Sequence, residues 1–489
     1  MADIRSFEIV LRDSLHIKTI KTFLESEKKS YKKSNKDYIL NIYKIIRNDK
    51  KIAIPISINF DINELSERLS KTTGLKNDRE SENDQIDIIS NCDFKIISGN
   101  NEETQLKIKS TETSKFDFKQ LLLKYVKETD TDTENVLTDD VISILPSRWS
   151  LYPPLLLLPS NTFETDIWVS FVSKMGGATW VDEFYKLLLA KLTNNSNVYT
   201  HIAINKPIVE NSNVMRVPVN LLPVYGDFSI NLNHDKQNTE ISEEILTSPT
   251  EQDFNKLFWC TSNQNGITQF WCPVFTMFSR GNIKEKIRIL QTFKNIENNY
   301  IIDLYSGIGY FTLCYLKKNC KRIFCWELNP WSIKGLVKGA IANKFKYMVT
   351  YENEDLDWSK FDDDTIRLVI FQESNEYAID RFNQILKHKN NDYKIPITHI
   401  NLGLLPSSKL SWPIASSLIK DFSSASEKNL KSQIHIHENV GVRELDNFME
   451  ITTSDLTKIN GQTVEPVHLE KVKTYAPDVW HIVGDFSIS

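Results

Sequence analysis

The chain has 489 residues, of which 40% are hydrophobic, an ordinary globular composition for which two or three domains are expected. Its 59 Lys and Arg residues against 64 Asp and Glu residues give a net charge of -5, which argues against a uniformly basic nucleic-acid coat and leaves local basic patches open. The longest apolar runs fall far short of the roughly 20 residues that span a bilayer, so we expect no membrane role.

The N-terminus and the cysteines bear on where the protein works. MADIRSFEIVLRDSLHIK carries charges within its first residues and lacks the apolar core of a signal peptide. The cysteines form no CxxC pair and no Cys/His cluster with zinc spacing; they stand at positions 92, 260, 272, 314, 320 and 325. We therefore expect a cytoplasmic protein with reduced thiols and no bound metal.

The N-terminal region is expected to span residues 1–140. Lysines at positions 28, 29, 32, 33, 36, 50 and 51 are interleaved with tyrosines at positions 31, 38 and 43. This pattern suits contact with phosphate and equally suits a solvated helix face, so it identifies no contact residues. Two acidic, Ser/Thr/Asn-rich stretches that begin at Lys76 and Lys127 have the composition of loops, and the second predicts the domain boundary near residue 140.

Residues 141–275 are expected to form a middle α+β region. It opens with ILPSRWSLYPPLLLLPSNTF, whose four prolines forbid a continuous helix and predict a mostly extended connector. Further on, HIAINKPI from His201 and MRVPVNLLPVYGDF from Met215 alternate well enough to be strands.

Strands alternate with helices in the remaining region, residues 276–489. The expected strands are YIIDLYSG, RIFCWELN, YMVTYEN, IRLVIFQ, ITHINLG and QIHIHENV. Such alternation requires right-handed crossovers and a mostly parallel sheet with helices on both faces. The sequence therefore predicts a doubly wound, Rossmann-like α/β domain that follows one or more α+β domains.

The most informative motif lies in IIDLYSGIGYFTLCYLKK. Gly307 and Gly309 turn the chain tightly between a buried strand and a helix, where the backbone can approach a ligand closely. Asp303 ends the strand with a carboxylate, which suits an amino group and repels a pyrophosphate. The third glycine of the dinucleotide fingerprint is also missing, so the motif favours S-adenosylmethionine over a dinucleotide.

The next two strands end in further candidate ligands for this cofactor. RIFCWELN ends in Glu327, whose carboxylate can accept both ribose hydroxyls; the alternative is that it caps the helix opened by Asn329. YMVTYEN leads into Asn353, Glu354 and Asp355, one of which is expected to accept the exocyclic amine of adenine. The alternative for these three residues is loop solvation.

Histidines near strand ends raise the question of a metal. In QIHIHENV, His435 and His437 are two residues apart and face one side of a strand, and His399 precedes another strand end. No Asp, Glu or Cys stands at ligand spacing from them. We expect them to be structural histidines with satisfied hydrogen bonds.

Four blocks together identify a family: MFSRGNIKEKIRIL from Met277, DLYSGIGYFT from Asp303, WELNPWSIKGLVKGAIAN from Trp326 and HINLGLLPSS from His399. They resemble the tRNA wybutosine-synthesising protein 2 family, which is related to the tRNA guanosine-37 N1-methyltransferases. RWSLYPPLLLLP and the segment from His201 look like its fungal members. The resemblance covers roughly the last two thirds of the chain.

This resemblance implies that the 3-amino-3-carboxypropyl group of S-adenosylmethionine is transferred to 4-demethylwyosine at position 37 of phenylalanine tRNA, with release of methylthioadenosine. It also implies that Ser279, Lys286, Glu327 and the loop after the third strand contact S-adenosylmethionine. Without this resemblance, helical periodicity predicts that Lys286 is an ordinary solvated lysine. Residues 1–140 would then dock the anticodon arm, and Tyr310 and Trp331 are candidates to stack on an everted base, with core packing as the alternative.

The acceptor side departs from the base methylases. Asn401, Gly403 and Pro406 stand where those enzymes often carry Asn-Pro-Pro-Tyr, and the diproline and the aromatic platform are both missing. That difference weakens N-methylation and fits aminocarboxypropyl transfer. The open alternatives are a tRNA guanosine-37 N1-methyltransferase and a non-catalytic RNA-binding protein with a degenerate Rossmann domain; the intact Asp303 and Glu327 argue against the second.

Overall fold

The computed structural model describes residues 5–11, 17–34, 40–42, 46–47, 52–58, 62–73, 94–98, 117–129, 137–205, 215–218, 221–229, 243–389, 394–425 and 430–488. The loop predicted to begin at Lys76 and most of the interleaved tyrosines lie outside these residues. The chain forms two compact units, residues 1–117 and residues 118–489. Within the described residues, no helix is both long and apolar enough to cross a membrane.

The described residues of the first unit form an α+β arrangement of one sheet and two helices. Its elements are β1 (Arg5–Leu11), α1 (Ile17–Ser34), β2 (Leu40–Ile42), β3 (Ile46–Arg47), β4 (Ile52–Ile58), α2 (Ile62–Thr73) and β5 (Phe94–Ser98). The strands pair antiparallel in the order β2-β4-β1-β5, with β3 also on β4. Alternate residues Ile54, Ile56 and Ile58 are fully buried against both helices, as a sheet with one covered face requires.

The second unit begins with small sheets and helices. Its first elements are α3 (Phe118–Thr129), α4 (Asp139–Ser143), β6 (Ser150–Tyr152), β7 (Leu155–Pro159), α5 (Asp166–Met175), α6 (Ala178–Leu192), β8 (His201–Asn205), β9 (Leu221–Tyr225), α7 (Glu243–Thr247), α8 (Glu251–Lys256), β10 (Cys260–Gln264) and β11 (Ile267–Trp271). Strands β6 to β9 form one sheet in chain order, and β10 and β11 form a hairpin.

Helix α3 explains why the second unit starts earlier than the acidic composition predicts. The Tyr125 and Trp180 rings lie 5.0 Å apart, and the Tyr125 hydroxyl donates to the Trp180 carbonyl at 3.1 Å. Phe118 packs edge-on against Trp149 at 4.8 Å. These aromatic contacts join α3 to the helices that follow, so the compact units divide at residue 117, ahead of the boundary predicted near residue 140.

The rest of the unit is a doubly wound domain, as the sequence predicts. Its elements are α9 (Ile283–Thr292), β12 (Tyr300–Asp303), α10 (Thr312–Lys317), β13 (Arg322–Trp326), α11 (Pro330–Ala342), β14 (Lys346–Tyr351), α12 (Trp358–Phe361), β15 (Ile366–Gln372), α13 (Ala378–Lys389), β16 (Ile397–Leu402), α14 (Trp412–Phe422), β17 (Ser432–Gly441), α15 (Leu445–Asn460), β18 (Val464–Ala476) and β19 (Val479–Ile488). Short 3-10 helices precede α9, α13 and α14.

The eight strands follow the order β14-β15-β13-β12-β16-β17-β19-β18. Strands β12 to β17 are parallel to one another. At one end of the sheet, β19 pairs antiparallel with β17 and with β18. Both faces of the sheet are covered: Ile302 on β12 belongs to the core under α13, α14 and α15, and its neighbour Ile301 to the core under α9, α10 and α11. Each such buried aliphatic side chain contributes about 1.5–3 kcal/mol.

The order of the sheet corrects one expectation. Strand β15 lies beside β13, and β14, the third strand along the chain, lies outside it at the edge. In β15 the four residues Leu368–Phe371 are all fully buried, whereas β14 alternates buried and partly exposed residues. A strand that is apolar on both faces must lie inside a covered sheet, so β15 takes the inner place and β14 the edge.

Candidate functional site

The carboxyl ends of β12, β13 and β16 meet at one edge of the sheet, where a doubly wound fold forms its ligand-binding crevice. Strand β12 is the point where the sheet order reverses, because β13 lies on one side of it and β16 on the other. In doubly wound sheets, ligands bind outside the carboxyl ends of the strands at such a reversal. The glycine motif and Glu327 follow these strand ends and Asn401 lies among the last residues of β16, so the fold brings most of the predicted site residues to one edge.

The glycine turn after β12 adopts the backbone conformation that its sequence predicts. Gly307 and Gly309 have φ angles of 53° and 83°, in the left-handed region that favours glycine. A Cβ on Gly309 would lie 2.5 Å from Leu336 of α11, so the turn is also packed tightly against that helix. The turn therefore needs glycine at Gly309 for its backbone conformation and for its close packing against α11.

Asp303 organises this edge of the sheet. It is fully buried and accepts hydrogen bonds from the Thr312 hydroxyl at 2.7 Å and the Asn401 amide at 3.0 Å. Burial raises the pKa of its carboxyl group. The carboxylate thus joins the end of β12 to α10 and to the end of β16, and the partner predicted to be an amino group is here the amide of Asn401.

Glu327 bridges the glycine turn and the end of β13. Its carboxylate accepts from the Gly307 amide at 2.8 Å and from the Asn329 amide at 2.9 Å, and burial raises its pKa. The N-cap of α11 is Asn329, whose side-chain oxygen accepts from the Trp331 amide at 2.9 Å. Glu327 is therefore not the helix cap, and its carboxylate stands between the two loops that frame the crevice.

Lys286 is buried, in contrast to the solvated lysine that helical periodicity alone suggests. Its Nζ donates to the side-chain oxygens of Gln264, at 2.9 Å, and Gln269. Gln269 in turn donates to the Gly309 carbonyl at 3.0 Å, so the lysine is joined to the glycine turn. No carboxylate of the described residues forms an ion pair with it, and burial lowers its pKa to about 8.

Ser279 lies in the loop before α9, next to a second partly buried lysine. Its hydroxyl donates to the Asn282 side chain at 3.0 Å and accepts from the Lys473 ammonium of β18 at 2.8 Å. Burial lowers the pKa of Lys473. Arg280, which follows Ser279, is exposed.

The loop after β14 lies one strand away from the crevice. Asn353, Glu354 and Asp355 are exposed at the edge of the sheet, since β15 separates β14 from β13. This placement does not support contact of these residues with adenine. The loop that borders β13 follows β15, and its residues are Glu373, Ser374 and Asn375.

The loop after β15 is a site element that the sequence reasoning missed. Asn375 donates from its side-chain amide to the Leu304 carbonyl at 2.9 Å, which ties the loop to the end of β12. Glu373 is buried and accepts from Arg381 at 2.6 Å and from the Trp326 indole at 3.2 Å. The fully apolar run of β15 was the sequence signal for an inner strand.

The residues after β16 line the opposite side of the crevice. Asn401 is 1% exposed and donates its amide hydrogen to Asp303, so that hydrogen is not free to hold a base. Gly403 lies close to Asn401 and Phe311: a Cβ there would be 3.2 Å from the Asn401 amide and 3.7 Å from the Phe311 ring. The Pro406 carbonyl accepts from the Asn439 backbone amide of β17 at 2.8 Å.

The two candidate stacking residues differ in burial. Trp331 is fully buried, its ring stacks on Phe275 at 4.2 Å, and its indole donates to the Ile245 carbonyl at 2.8 Å. Tyr310 donates its hydroxyl to the Met277 carbonyl. The structure shows core packing for Trp331, whereas Tyr310 is partly buried beside the glycine turn.

His399 and His435 belong to a buried hydrogen-bonded network. The two rings share a hydrogen bond of 2.8 Å; the second nitrogen of His399 contacts the Lys294 carbonyl, and that of His435 contacts Asp485 at 2.7 Å. Asp485 also accepts from Arg288 at 3.1 Å. The hydrogen bonds of His399 and His435 are satisfied, as expected, and one partner is a carboxylate from β19 that sequence spacing did not reveal. The same expectation is wrong for His437, whose Nε2 is buried without a hydrogen bond. Within the described ranges no His, Cys, Asp and Glu group is arranged to hold a metal.

With this geometry in place, a model of the TRM5/TYW2 methyltransferase domain matches residues 262–390 of the chain. The matched range runs from the β10–β11 hairpin to the end of α13. It includes Lys286, the glycine turn, Glu327 and the loop after β15.

Two fungal proteins are similar over most of the chain. The tRNA wybutosine-synthesizing protein 2 of Saccharomyces cerevisiae is 36% identical over 420 residues, which cover 80% of this chain and 84% of that protein. The protein of the same name from Schizosaccharomyces pombe is 39% identical over 341 residues, covering 70% and 72%.

Archaeal proteins are more distant. The tRNA(Phe) (4-demethylwyosine(37)-C(7)) aminocarboxypropyltransferase of Pyrococcus horikoshii is 25% identical over 226 residues, covering 46% of this chain and 66% of that protein. The solved structure of P. horikoshii TYW2 in complex with MeSAdo aligns with a TM-score of 0.46 at 17% identity, covering 75% of this chain and 98% of that one.

Proposed function

This chain belongs to the tRNA wybutosine-synthesizing protein 2 family, and we propose that it transfers the 3-amino-3-carboxypropyl group of S-adenosylmethionine to 4-demethylwyosine in tRNA. The similarity to the yeast protein over 80% of the chain carries this proposal. The name of the archaeal relative supplies the group transferred, the acceptor atom C7 and the acceptor tRNA, that for phenylalanine. We also propose a cytoplasmic location, which rests on the sequence features of the N-terminus and cysteines.

The crevice suits S-adenosylmethionine as co-substrate. We assign the ribose hydroxyls to Glu327, because its carboxylate stands between the glycine turn and the end of β13. We assign the adenine to the loop after β15, which borders β13 where the loop of Asn353 was expected to lie. We assign the sulfur-bearing part of the molecule to the glycine turn, which follows the end of β12.

Lys286 is the candidate partner of the methionine carboxylate. The Lys286 ammonium is buried, its hydrogen bonds go to neutral amide oxygens, and it lies over the Phe278 and Tyr310 rings, so it lacks a full counter-charge among the described residues. A carboxylate would supply that charge, and a charge-assisted hydrogen bond is about twice as strong as a neutral one. Ser279 and Lys473, which contact each other beside α9, are candidates for the adjacent polar groups.

The reaction needs the correct carbon of the sulfonium to face the acceptor. The sulfonium carries three carbons that a nucleophile can attack, and alignment alone can supply several kcal/mol of the barrier. Anchoring of the carboxylate and of the adenosine at opposite ends would set which carbon faces C7. C7 forms the new C–C bond, the C–S bond breaks with release of methylthioadenosine, and the C7 proton passes to solvent or to a base.

Product identity tests the proposed function. The protein is incubated with S-adenosylmethionine and phenylalanine tRNA that carries 4-demethylwyosine, and the sulfur-containing product is identified by mass spectrometry. We expect methylthioadenosine together with the matching mass gain on the base. S-adenosylhomocysteine would instead identify a methyltransferase, and no turnover on this tRNA would favour a binding protein.

A further inference from the structure

The carboxyl end of β17 and the start of β19 carry a group of buried polar atoms that lack partners. Within the described part of the chain, His437 Nε2, His481 Nδ1 and both polar side-chain atoms of Asn439 are buried without a hydrogen bond. Asn439 and His481 are opposite each other in the sheet, and the His437 and His481 rings share a hydrogen bond of 3.1 Å. We refer to these three residues as the His437 cluster.

Unpaired polar atoms at one place require an explanation. Each buried donor or acceptor without a partner costs about 1–3 kcal/mol, and native proteins contain few of them. On the same face of the same sheet, the ring nitrogens of His399 and His435 all have partners. Other buried unpaired atoms of the described residues, such as the hydroxyls of Tyr315 and Ser487, stand singly, whereas four of them gather at the carboxyl end of β17.

The cluster stands on the acceptor side of the crevice. The His437 ring lies 4.9 Å from Phe311, which follows the glycine turn. In the parallel register His435 is level with Asn401, so His437 is two residues further on, beside the loop of Gly403 and Pro406. Glu327 and the loop after β15 lie on the other side of β12, where we place the adenosine.

The side chains of the cluster are themselves neutral and offer both donors and acceptors, and the Lys473 ammonium lies beside them, because Lys473 is opposite His481 in the sheet. Burial lowers the pKa of His437 well below its usual value and that of His481 to about 4, so both rings are uncharged at neutral pH. One N–H lies between the two rings, and the two outer nitrogens are therefore one donor and one acceptor in either tautomer. The Asn439 amide adds two donor hydrogens and one acceptor.

The donors and acceptors of these three neutral side chains match the edge of a nucleobase, because a guanine-derived ring presents donors and acceptors side by side. We propose that His437, Asn439 and His481 hydrogen-bond the acceptor base and determine the selectivity for it. This proposal rests on the proposed function for the identity of the base, a neutral tricyclic heterocycle derived from guanine.

The test measures how much the base contributes to binding. Two anticodon stem-loops are compared, one with 4-demethylwyosine and one with an abasic site at the same position. For the wild-type protein with S-adenosylmethionine, we expect the base to tighten binding by about 10- to 100-fold, because a site built for hydrogen bonds discriminates strongly against their loss. We call the Kd for the abasic stem-loop divided by the Kd for the 4-demethylwyosine stem-loop the base contribution. In Asn439→Leu, we expect the base contribution to fall by at least about tenfold, with an unchanged Kd for S-adenosylmethionine.

Matched variants separate recognition from stability. Ser416 on α14 also has a buried, unpaired hydroxyl, and it lies in the core under the other face of the sheet. Replacement of an unpaired polar group by an apolar one does not remove a hydrogen bond, so neither Asn439→Leu nor Ser416→Ala should lower the melting temperature much. Ser416→Ala should keep the full base contribution. His481→Phe is the second test of the cluster and should reduce the base contribution as Asn439→Leu does.

The outcomes are distinguishable from those of the proposed function. An unchanged base contribution in both Asn439→Leu and His481→Phe, or no base contribution in the wild type, would overturn the proposal. This readout is binding and does not depend on which carbon is transferred. The product assay above identifies the reaction separately. If that assay shows a methyltransferase, the measured contribution of the base to binding still tests the cluster proposal.

Discussion

At the scale of single residues, Lys286 shows how burial changes what a side chain can do. Helical periodicity alone suggests a solvated cation, yet the side chain is 2% exposed and lies against two glutamine oxygens. The cost of burial lowers its pKa to about 8, close to neutral pH. The charge of Lys286 therefore changes with pH close to neutrality.

We predict that the affinity for S-adenosylmethionine falls as pH rises through about 8. The ammonium form holds the carboxylate, and deprotonation above this pKa removes the charge. Calorimetric titration at pH values from 7 to 9.5 measures the effect. Lys286→Met should weaken binding at pH 7 by roughly 10- to 100-fold, the range expected for a hydrogen bond to a charged group.

The pH profile of the variant is the control for this prediction. Lys286→Met has no group to titrate at this position, so its weaker binding should be nearly flat over the same range. An equally steep fall in the variant would show that another group is responsible. Stability has the opposite trend: the charged lysine is disfavoured only in the folded state, so the wild type should become more stable as pH rises from about 8 towards its ordinary pKa of 10.5.

A second residue-scale prediction compares the two candidate adenine loops. Asn375→Ala should weaken S-adenosylmethionine binding by about tenfold, because the amide that ties the loop to Leu304 is lost. Asp355→Ala should bind normally, since this residue is exposed on the loop after the edge strand. Equilibrium binding of S-adenosylmethionine to both variants decides between the loops. Normal binding by Asn375→Ala and weaker binding by Asp355→Ala would assign the adenine to the loop after β14.

At the scale of elements, α9 is fixed to the sheet by a buried ion-pair network. Arg288 donates to Glu285 at 2.7 Å within the helix and to Asp485 on β19 at 3.1 Å. The neighbouring charges of His435 and Arg288 hold the pKa of Asp485 well below its usual value despite burial. The network positions the helix that carries Lys286, and it does so through a strand nearly 200 residues away in the chain.

We predict that Asp485→Asn destabilises the protein strongly. Removal of one partner of a buried pair leaves the other charge uncompensated and typically costs about 3–5 kcal/mol. Urea unfolding at neutral pH measures this cost. Because the carboxylate has a lowered pKa in the folded state, its contribution is present at neutral pH and is lost only as pH falls into the acidic range.

An exposed ion pair provides the comparison for Asp485→Asn. Lys431 and Glu465 form a contact of 2.6 Å with more than half of each side chain exposed. Solvent screens such pairs, which contribute about 0–1 kcal/mol. Glu465→Gln should therefore change the free energy of unfolding very little, and a loss as large as that of Asp485→Asn would contradict the role of burial.

At the scale of the whole molecule, the division into units makes a prediction about truncation. A chain that begins at residue 118 keeps α3 and its contacts with Trp180 and Trp149. A chain that begins at residue 141 loses them and exposes aromatic surface. We expect the chain that begins at residue 118 to melt near the temperature at which residues 118–489 melt in the full-length protein. The chain that begins at residue 141 should melt several degrees lower.

Calorimetry of both truncated proteins measures this difference, with S-adenosylmethionine binding as the test that each has folded. Equal melting temperatures would show that α3 contributes little to the second unit. The role of residues 1–140 in tRNA docking stays a proposal. If it holds, the chain that begins at residue 118 keeps its cofactor affinity and loses affinity for tRNA.

The sequence by itself determined the class of the catalytic domain and the centre of its site. The alternation of strands and helices, the turn of Gly307 and Gly309, and Glu327 at the next strand end are local patterns. Glycines in the sequence predict a turn that needs a left-handed backbone, and the pattern of apolar residues in a strand predicts where that strand ends. These inferences required no knowledge of distant contacts.

The tertiary structure alone decided which strand borders the crevice, why Lys286 is buried, and what pairs with the histidines. The place of β15 beside β13, the contact of Lys286 with Gln264 and Gln269, and the approach of Asp485 to His435 all join segments that are far apart in the chain. Spacing within one segment carries no information on such contacts, because burial and partners are set by the packing of the whole domain.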